Sequence, residues 1–194
     1  ALIDQAKLTN SEKLMLDRRL KDFKKSGVDK SVEIRERVKK LNLEITEIGN
    51  SFDQAIREDT RFVETTIEKL AGLPGDYIAA KKVDENGIIR VSTDYPDYFP
   101  VMQYAHDDNL RKKLYIASKS IGSPSNSQNL LNLIKKRHEL ANLLGYENYA
   151  ALAMDGLMIK SPDRANVFLN DLGQAVKKAA KKDLLILLKK QKEI

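Results

Sequence analysis

The sequence has no cysteine and no tryptophan in its 194 residues. Without cysteine the chain cannot form disulfides or offer thiolates to a metal ion, and such a composition fits a reducing compartment. We therefore predict a cytoplasmic location. Aromatic residues make up only 6% of the chain, so the composition shows no aromatic-rich binding platform.

Long apolar runs are also missing. No stretch approaches the roughly 20 residues that cross a membrane as a helix, and the mean hydropathy is −0.46. Residues 1–7 lack the basic stretch, the apolar stretch and the cleavage site of a signal peptide. We predict no membrane partner, and we expect that the sequence begins part-way through a longer chain.

Basic residues exceed acidic ones, which gives a formal net charge of +6. Residues 1–40 hold 12 basic and 7 acidic residues, residues 41–155 hold 13 and 17, and residues 156–194 hold 9 and 4. Both basic ends fall on predicted helices that also carry acidic residues. Solvated helix faces explain this pattern better than a stripe that follows phosphates, and no nucleic-acid-binding motif accompanies it. We predict no nucleic-acid partner.

Helical periodicity dominates the first third of the chain. A first helix is predicted to end at residue 26, with Asn10 or Ser11 as its N-cap and Gly27 as its C-terminal stop. A second helix is predicted over residues 29–59, because apolar residues recur every three or four positions. This stripe consists of Ile34, Val38, Leu41, Ile45, Ile48, Phe52 and Ile56. Both a coiled coil and a globular packing seam fit the stripe, and the globular seam is favoured.

Residues 61–95 have a different pattern. Residues 61–66 are β-prone, Asn86-Gly87 is a preferred hairpin turn, and apolar and polar residues alternate after it. The sequence therefore predicts one small β-hairpin inserted in a helical chain. The predicted fold class is mainly α. Residues 1–194 are expected to form a single helical region, with long antiparallel helices packed as a helical lobe.

Further helices are predicted in the second half of the chain. Asp107 or Asp108 is expected to cap one helix, and Ser161-Pro162-Asp163 is a typical helix start. The helix that ends at Gly145 has a predicted inward face made of Leu130, Leu131, Ile134, His138, Ala141 and Leu144. Residues 184–188 are five consecutive apolar residues, which no single interface of a helix can bury. We predict that further protein covers them.

Only one stretch approaches a catalytic motif. A zinc peptidase helix carries His-Glu-x-x-His, in which two histidines four residues apart bind one metal ion and the glutamate activates its water. This sequence has His138-Glu139 but Asn142 in place of the second histidine. The other histidine of the chain, His106, precedes a pair of aspartates. We predict an ordinary half-buried helical histidine at position 138 and no metal site.

The other candidate residues have structural explanations. Asp107 and Asp108 are expected to cap a helix, whereas Glu58 and Asp59 are expected to be solvated at a helix end. Five aromatic residues are candidates for the lining of a peptide groove, but core packing is favoured for them. They are Tyr95, Tyr98, Phe99, Tyr104 and Tyr115.

Several segments in succession resemble the thimet oligopeptidase and oligopeptidase A family of zinc metallopeptidases. No single segment is diagnostic, but their order and spacing are fairly specific and extend over nearly the whole chain. The segments are residues 35–42, 52–60, 70–74, 94–100, 137–146, 160–162 and 167–169.

The resemblance implies that this chain is the helical region that precedes the catalytic core, in an enzyme whose two lobes enclose a deep channel for short peptides. The catalytic residues of the family would follow residue 194, so no catalytic, cofactor-binding or metal-binding residue is assigned here. Zinc, short peptide substrates and the missing catalytic lobe are expected in the parent enzyme, and this chain alone is expected to be inactive. The alternative is a stand-alone helical interaction module for an acidic partner.

Overall fold

The computed structural model describes residues 8–193, which group into two compact units. The first unit contains the residues up to Leu43 and from Lys136, and the second contains Glu44–Lys135. The N-terminal segment in which we predict no signal peptide lies outside the described residues, and the single helical region stays a prediction.

The described residues form eight α-helices, two strands and a short 3-10 helix at Ile67–Leu70. The mainly α fold class with one small β element is therefore confirmed. The helices are α1 (Asn10–Lys25), α2 (Val32–Glu58), α3 (Gly75–Ala79), α4 (Tyr95–Tyr104), α5 (Asp108–Lys119), α6 (Ser125–Leu143), α7 (Tyr149–Met154) and α8 (Pro162–Gln191). The strands are β1 (Phe62–Thr65) and β2 (Ile89–Ser92).

Helix α1 begins at Asn10, within the predicted start, but its N-cap is Thr9, one residue before the predicted caps. The hydroxyl of Thr9 accepts a hydrogen bond from the Glu12 amide at 3.3 Å, and the Glu12 carboxylate accepts one from the Thr9 amide at 2.8 Å. The prediction of Asn10 or Ser11 as the cap is wrong, because only Thr9 has the glutamate three residues later that closes the box. Gly27, with a φ of 81°, ends the helix as expected.

The core of the first unit is small. Gly27 lies close to Val38 of α2 and to Leu144, the residue after α6, since a Cβ on Gly27 would lie 3.6 Å and 3.5 Å from their side chains. Val38 and Leu41 are the two buried residues of α2, and both belong to its predicted apolar stripe. The buried apolar residues of this unit are Val38, Leu41, Leu140, Ala141, Leu144 and Leu152.

The predicted inward face of α6 is partly wrong. Leu130, Leu131 and Ile134 are exposed by 48%, 52% and 55%, and His138 is exposed as well. The buried face starts at Leu133 and continues to Leu140 and Leu144. A row of side chains that starts at Leu133 instead of Leu130 is rotated by about 60° around the helix. Both rows contain leucines, so the periodicity of the sequence cannot show which row is buried.

The second unit is built around the two-stranded antiparallel sheet. Val63 of β1 faces Val91 of β2 in the register. The predicted turn at Asn86-Gly87 is present, with Gly87 at a φ of 78°, and it adds a single bridge between Val83 and Ile89. The small inserted sheet is thus confirmed, although the main partner of β2 is β1 rather than the segment just before the turn. Its hydrophobic core consists of Val63, Leu70, Leu73, Ile89, Val91, Val101, Ala105, Leu110 and Leu114.

Asp97 joins three elements of the second unit. Its carboxylate accepts hydrogen bonds from the Tyr77 hydroxyl at 3.0 Å and from the Ser92 amide and hydroxyl at 2.8 and 2.9 Å. It also pairs with the ammonium group of Lys81, and both side chains are about 15% exposed. Burial alone would raise the pKa of Asp97, but the hydrogen bonds and the charge of Lys81 outweigh it and lower the pKa below its ordinary value.

Candidate functional site

His138 lies on the exposed side of α6 and interacts with Asn142 one turn later. Its Nε2 atom is 3.0 Å from the side-chain amide of Asn142. When the amide oxygen of Asn142 accepts from this Nε2, the amide nitrogen donates to the carbonyls of Tyr146 and Glu147 at 3.0 and 3.2 Å. A ring nitrogen that donates a hydrogen bond has no lone pair for a metal ion. The four-residue spacing therefore produces a hydrogen bond here instead of a pair of ligands.

Glu139 is engaged by an arginine from another helix. Its Oε1 atom accepts a hydrogen bond from Nε of Arg37 at 2.8 Å, and the second guanidinium nitrogen donates to the same oxygen. A catalytic glutamate must instead reach the water of a metal ion held by its neighbouring histidine. The His138-Glu139 pair does not fit a catalytic zinc ion. The expectation of a half-buried histidine is wrong, because His138 is exposed.

His106 lies against the backbone of the second unit. Its amide donates to the carbonyl of Ala71 at 2.9 Å, and its ring packs on Gly72, where a Cβ would come within 2.6 Å of Nε2. The neighbouring Asp107 caps α5 as predicted, because its carboxylate accepts from the Leu110 amide at 2.6 Å. These contacts give His106 and Asp107 structural roles.

Asp59 is not merely solvated at a helix end, as the sequence suggests. Its carboxylate accepts from the guanidinium of Arg61 at 2.9–3.2 Å and from the amide of Gly122 at 2.7 Å. These hydrogen bonds lower the pKa of Asp59. The same guanidinium donates to the carbonyl of Ser123 at 2.7 Å. Asp59 and Arg61 therefore connect the start of β1 to the loop before α6, within the second unit.

The residues between 8 and 193 contain no group of three or more histidine, cysteine, aspartate or glutamate side chains arranged to hold a metal ion. In the same part of the chain, no helix combines the length and the apolar character that a membrane crossing needs. The prediction that this chain holds no catalytic, cofactor-binding or metal-binding residue stays a prediction.

Three aromatic residues form an exposed cluster on α4, which we call the aromatic ledge: Tyr95, Tyr98 and Phe99. Tyr95 and Phe99 are exposed by 76% and 56%, and their rings lie 5.2 Å apart. The ring of Tyr98 meets that of Phe99 edge-on at 5.6 Å, and Tyr98 packs against the core. The preference for core packing is thus wrong for Tyr95 and Phe99. It is also wrong for Tyr104 and Tyr115, which are 45% and 47% exposed.

Helix geometry explains the ledge. Tyr95 and Phe99 are four residues apart and so lie on one side of α4, while Asp97 and Val101 face the sheet and the core. Exposed aromatic rings offer a large contact area to a partner, and they lose little side-chain entropy when the partner binds. A pair of such rings therefore favours the binding of apolar side chains. Tyr95 and Phe99 therefore give the second unit an exposed aromatic surface.

Comparison with known proteins relates the chain to a family. The pattern of peptidase family M3 matches residues 101–194. Oligopeptidase A of Salmonella typhimurium is 30% identical over 195 residues, which cover 92% of this chain, and oligopeptidase A of Escherichia coli matches to the same extent. The match to family M3 covers just under half of this chain. Saccharolysin of Saccharomyces cerevisiae, a further relative, is 29% identical over 89% of this chain.

The chain spans only a part of these relatives. It covers 28% of the length of either oligopeptidase A and 25% of saccharolysin. The resemblance to the oligopeptidases that the sequence motifs indicate is confirmed. The name oligopeptidase A describes a peptidase, and this chain is similar to a part of it.

Proposed function

We propose that this chain is a non-catalytic helical region of a zinc-dependent oligopeptidase and forms one wall of the channel that admits short peptides. One observation carries the proposal: a region that matches peptidase family M3 has its His-Glu pair engaged in hydrogen bonds to Asn142 and Arg37. A metal-activated water needs a set of protein ligands and a nearby base. The proposal therefore assigns the zinc ion and the chemistry to the remainder of the parent protein.

The role of this chain is to shape access and contact the substrate. The ledge offers two exposed rings, and the half-buried Asp97 network holds α4 against β2, so the rings project from an anchored helix. A short unstructured peptide that passes such a surface would place apolar side chains on Tyr95 and Phe99. The expected substrates are thus short peptides, and the cytoplasmic location stays a prediction.

A substitution in the ledge tests this role in the full-length peptidase. Tyr95→Ala is expected to raise KM for an apolar quenched-fluorescent peptide about threefold to tenfold, because one aromatic contact contributes about 0.5–1.5 kcal/mol. We expect kcat to stay unchanged, since the contact is made equally in the ground state and the transition state. Steady-state kinetics on peptides of several lengths measure both constants.

The matched control is Tyr115→Ala, which removes an exposed tyrosine from α5. This control is expected to leave both constants at their original values. Equal kinetics for the original enzyme and the Tyr95→Ala variant would show that the ledge does not contact substrate. A drop in kcat with no change in KM would indicate a different role for α4.

The stand-alone interaction module remains the competing proposal, and the coding sequence separates the two. A reading frame that also encodes a His-Glu-x-x-His helix downstream supports the peptidase. A reading frame confined to this chain supports the module and would contradict the proposed function.

A further inference from the structure

Helix α8 exposes a continuous apolar stripe along its length. In the described part of the chain, none of the 30 residues of this helix is buried. The stripe has steps of three and four residues and consists of Leu169, Leu172, Val176, Ala180, Leu184 and Leu187. Its five large side chains are exposed by 48% to 66%. Single exposed leucines are common on protein surfaces, but a stripe of this length marks an interface.

Along the C-terminal half of the stripe, lysines outnumber acidic residues. From residue 176 to residue 191 the helix carries six lysines and one acidic residue, Asp183. Lys177 and Lys181 lie along one flank of the stripe, since each is three residues from a stripe residue, Ala180 and Leu184 respectively. A partner that covers the stripe must meet these ammonium groups, and carboxylates at its own flanks would pair with them.

We propose that the exposed stripe of α8 is the docking surface for one amphipathic helix with an apolar face and acidic flanks. The stripe residues recur every three or four positions along a helix about 45 Å long, and this spacing is typical of a surface that packs against another helix. This inference rests on the proposed function in one respect: the polypeptide that supplies the acidic helix would be the remainder of the peptidase.

Two other occupants fit the observations less well. A second copy of α8 in parallel would bring lysines against lysines, and an antiparallel copy would offer mainly Asp163 and Asp171 to the six lysines. A lipid surface would accept the lysines, but a stripe with steps of only three and four residues is the narrow seam that packs against another helix. Leu185 lies about half a turn from Leu187 and outside this seam. An acidic helix satisfies both the apolar stripe and the charge.

Binding of synthetic peptides to the 194-residue chain tests the proposal. The probes are a 28-residue helical peptide with a leucine stripe flanked by glutamates and a counterpart flanked by lysines, both labelled for fluorescence anisotropy. We expect the acidic peptide to bind at least about tenfold more tightly than the basic one, with an affinity that falls as salt rises. Equal affinities would overturn the charge argument.

Paired variants locate the contact. Leu184→Gln is expected to weaken binding of the acidic peptide about tenfold, whereas Leu185→Gln, which removes a leucine of nearly equal exposure, changes it little. The double variant Lys177→Glu and Lys181→Glu is expected to weaken it more than Lys178→Glu and Lys182→Glu, which lie farther from the stripe. All four sets replace exposed side chains, and circular dichroism checks that the helix persists.

The remaining outcomes identify another occupant. Light scattering that shows a dimer lost on Leu184→Gln would replace the acidic helix with a second copy. Sedimentation with phosphatidylserine vesicles but no peptide binding would replace it with a lipid surface. If the acidic peptide does not bind the chain, the docking proposal is overturned. The proposed peptidase function is not affected by that result, because substrate kinetics test it separately.

Discussion

Replacing Gly72 by alanine is expected to destabilise the second unit by roughly 2–5 kcal/mol, from backbone strain and steric overlap together. Gly72 has a φ of 93°, and a Cβ there would lie 2.3 Å from the carbonyl oxygen of Tyr104 and 2.5 Å from the ring of His106. The backbone oxygen cannot move without disturbing the end of α4. Urea denaturation followed by far-ultraviolet circular dichroism measures the loss, since the chain has no tryptophan to report on unfolding.

Gly87→Ala is the matched control for this substitution. Gly87 has a similar φ of 78°, but a Cβ there meets no atom within 4 Å. Only the backbone strain of about 1–2 kcal/mol should remain. A loss for Gly72→Ala no larger than that for Gly87→Ala would contradict the close packing of Gly72 against Tyr104 and His106.

The second large effect is expected for Asp97→Asn, which should lower the free energy of unfolding by about 3 kcal/mol. The substitution leaves the Lys81 ammonium group largely buried without its negative partner and presents an amide NH₂ to groups that donate hydrogen bonds. Asp94→Asn, on an exposed aspartate at the N-cap of α4, is expected to change stability by only about 0.5 kcal/mol or less. Similar losses in the two variants would contradict the role of Asp97 as the anchor of α4.

The contribution of Asp97 also depends on pH. Its pKa in the folded protein lies below its ordinary value, and in the unfolded chain the pKa is about 3.9. The charged carboxylate therefore stabilises the fold fully above about pH 4, and this stabilisation is lost as the pH falls through the lower folded pKa. The difference in stability between the original chain and Asp97→Asn should shrink in that acidic range. A difference that grows on acidification would contradict the direction of the shift.

The sequence predicts the elements of this fold well where the signals are local. Helix α2, the caps Asp107 and Ser161, and the stop at Gly27 all depend on residues within a few positions of each other, and the structure confirms them. The apolar stripe of α2 is confirmed only in part, since Val38 and Leu41 are buried but Ile56 is exposed. The register of the inward face of α6 was wrong because neighbouring rows on one helix both carry leucine. Which row is buried depends on what packs against the helix, and this information lies elsewhere in the chain.

The candidate site shows the same limit. The replacement of the second histidine by Asn142 is visible in the sequence, but the pairing of Glu139 with Arg37 joins residues 102 positions apart and has no local signal. The sequence does contain one signal for the aromatic ledge: the four-residue spacing of Tyr95 and Phe99 predicts that they lie on the same side of a helix. The exposure of the ledge could not be predicted, because it depends on how α4 packs on β2 through Asp97 and Val101.

Zinc content and peptide turnover of the purified chain test the central claim most directly. Atomic absorption and a quenched-fluorescent peptide assay should give no stoichiometric zinc and no cleavage. Asn142→His creates the His-Glu-x-x-His spacing, yet it should still give no turnover, because Glu139 is engaged by Arg37 and residues 8–193 hold no cluster that offers a third ligand. Cleavage by the unmodified chain that a chelator abolishes and zinc restores would contradict the account.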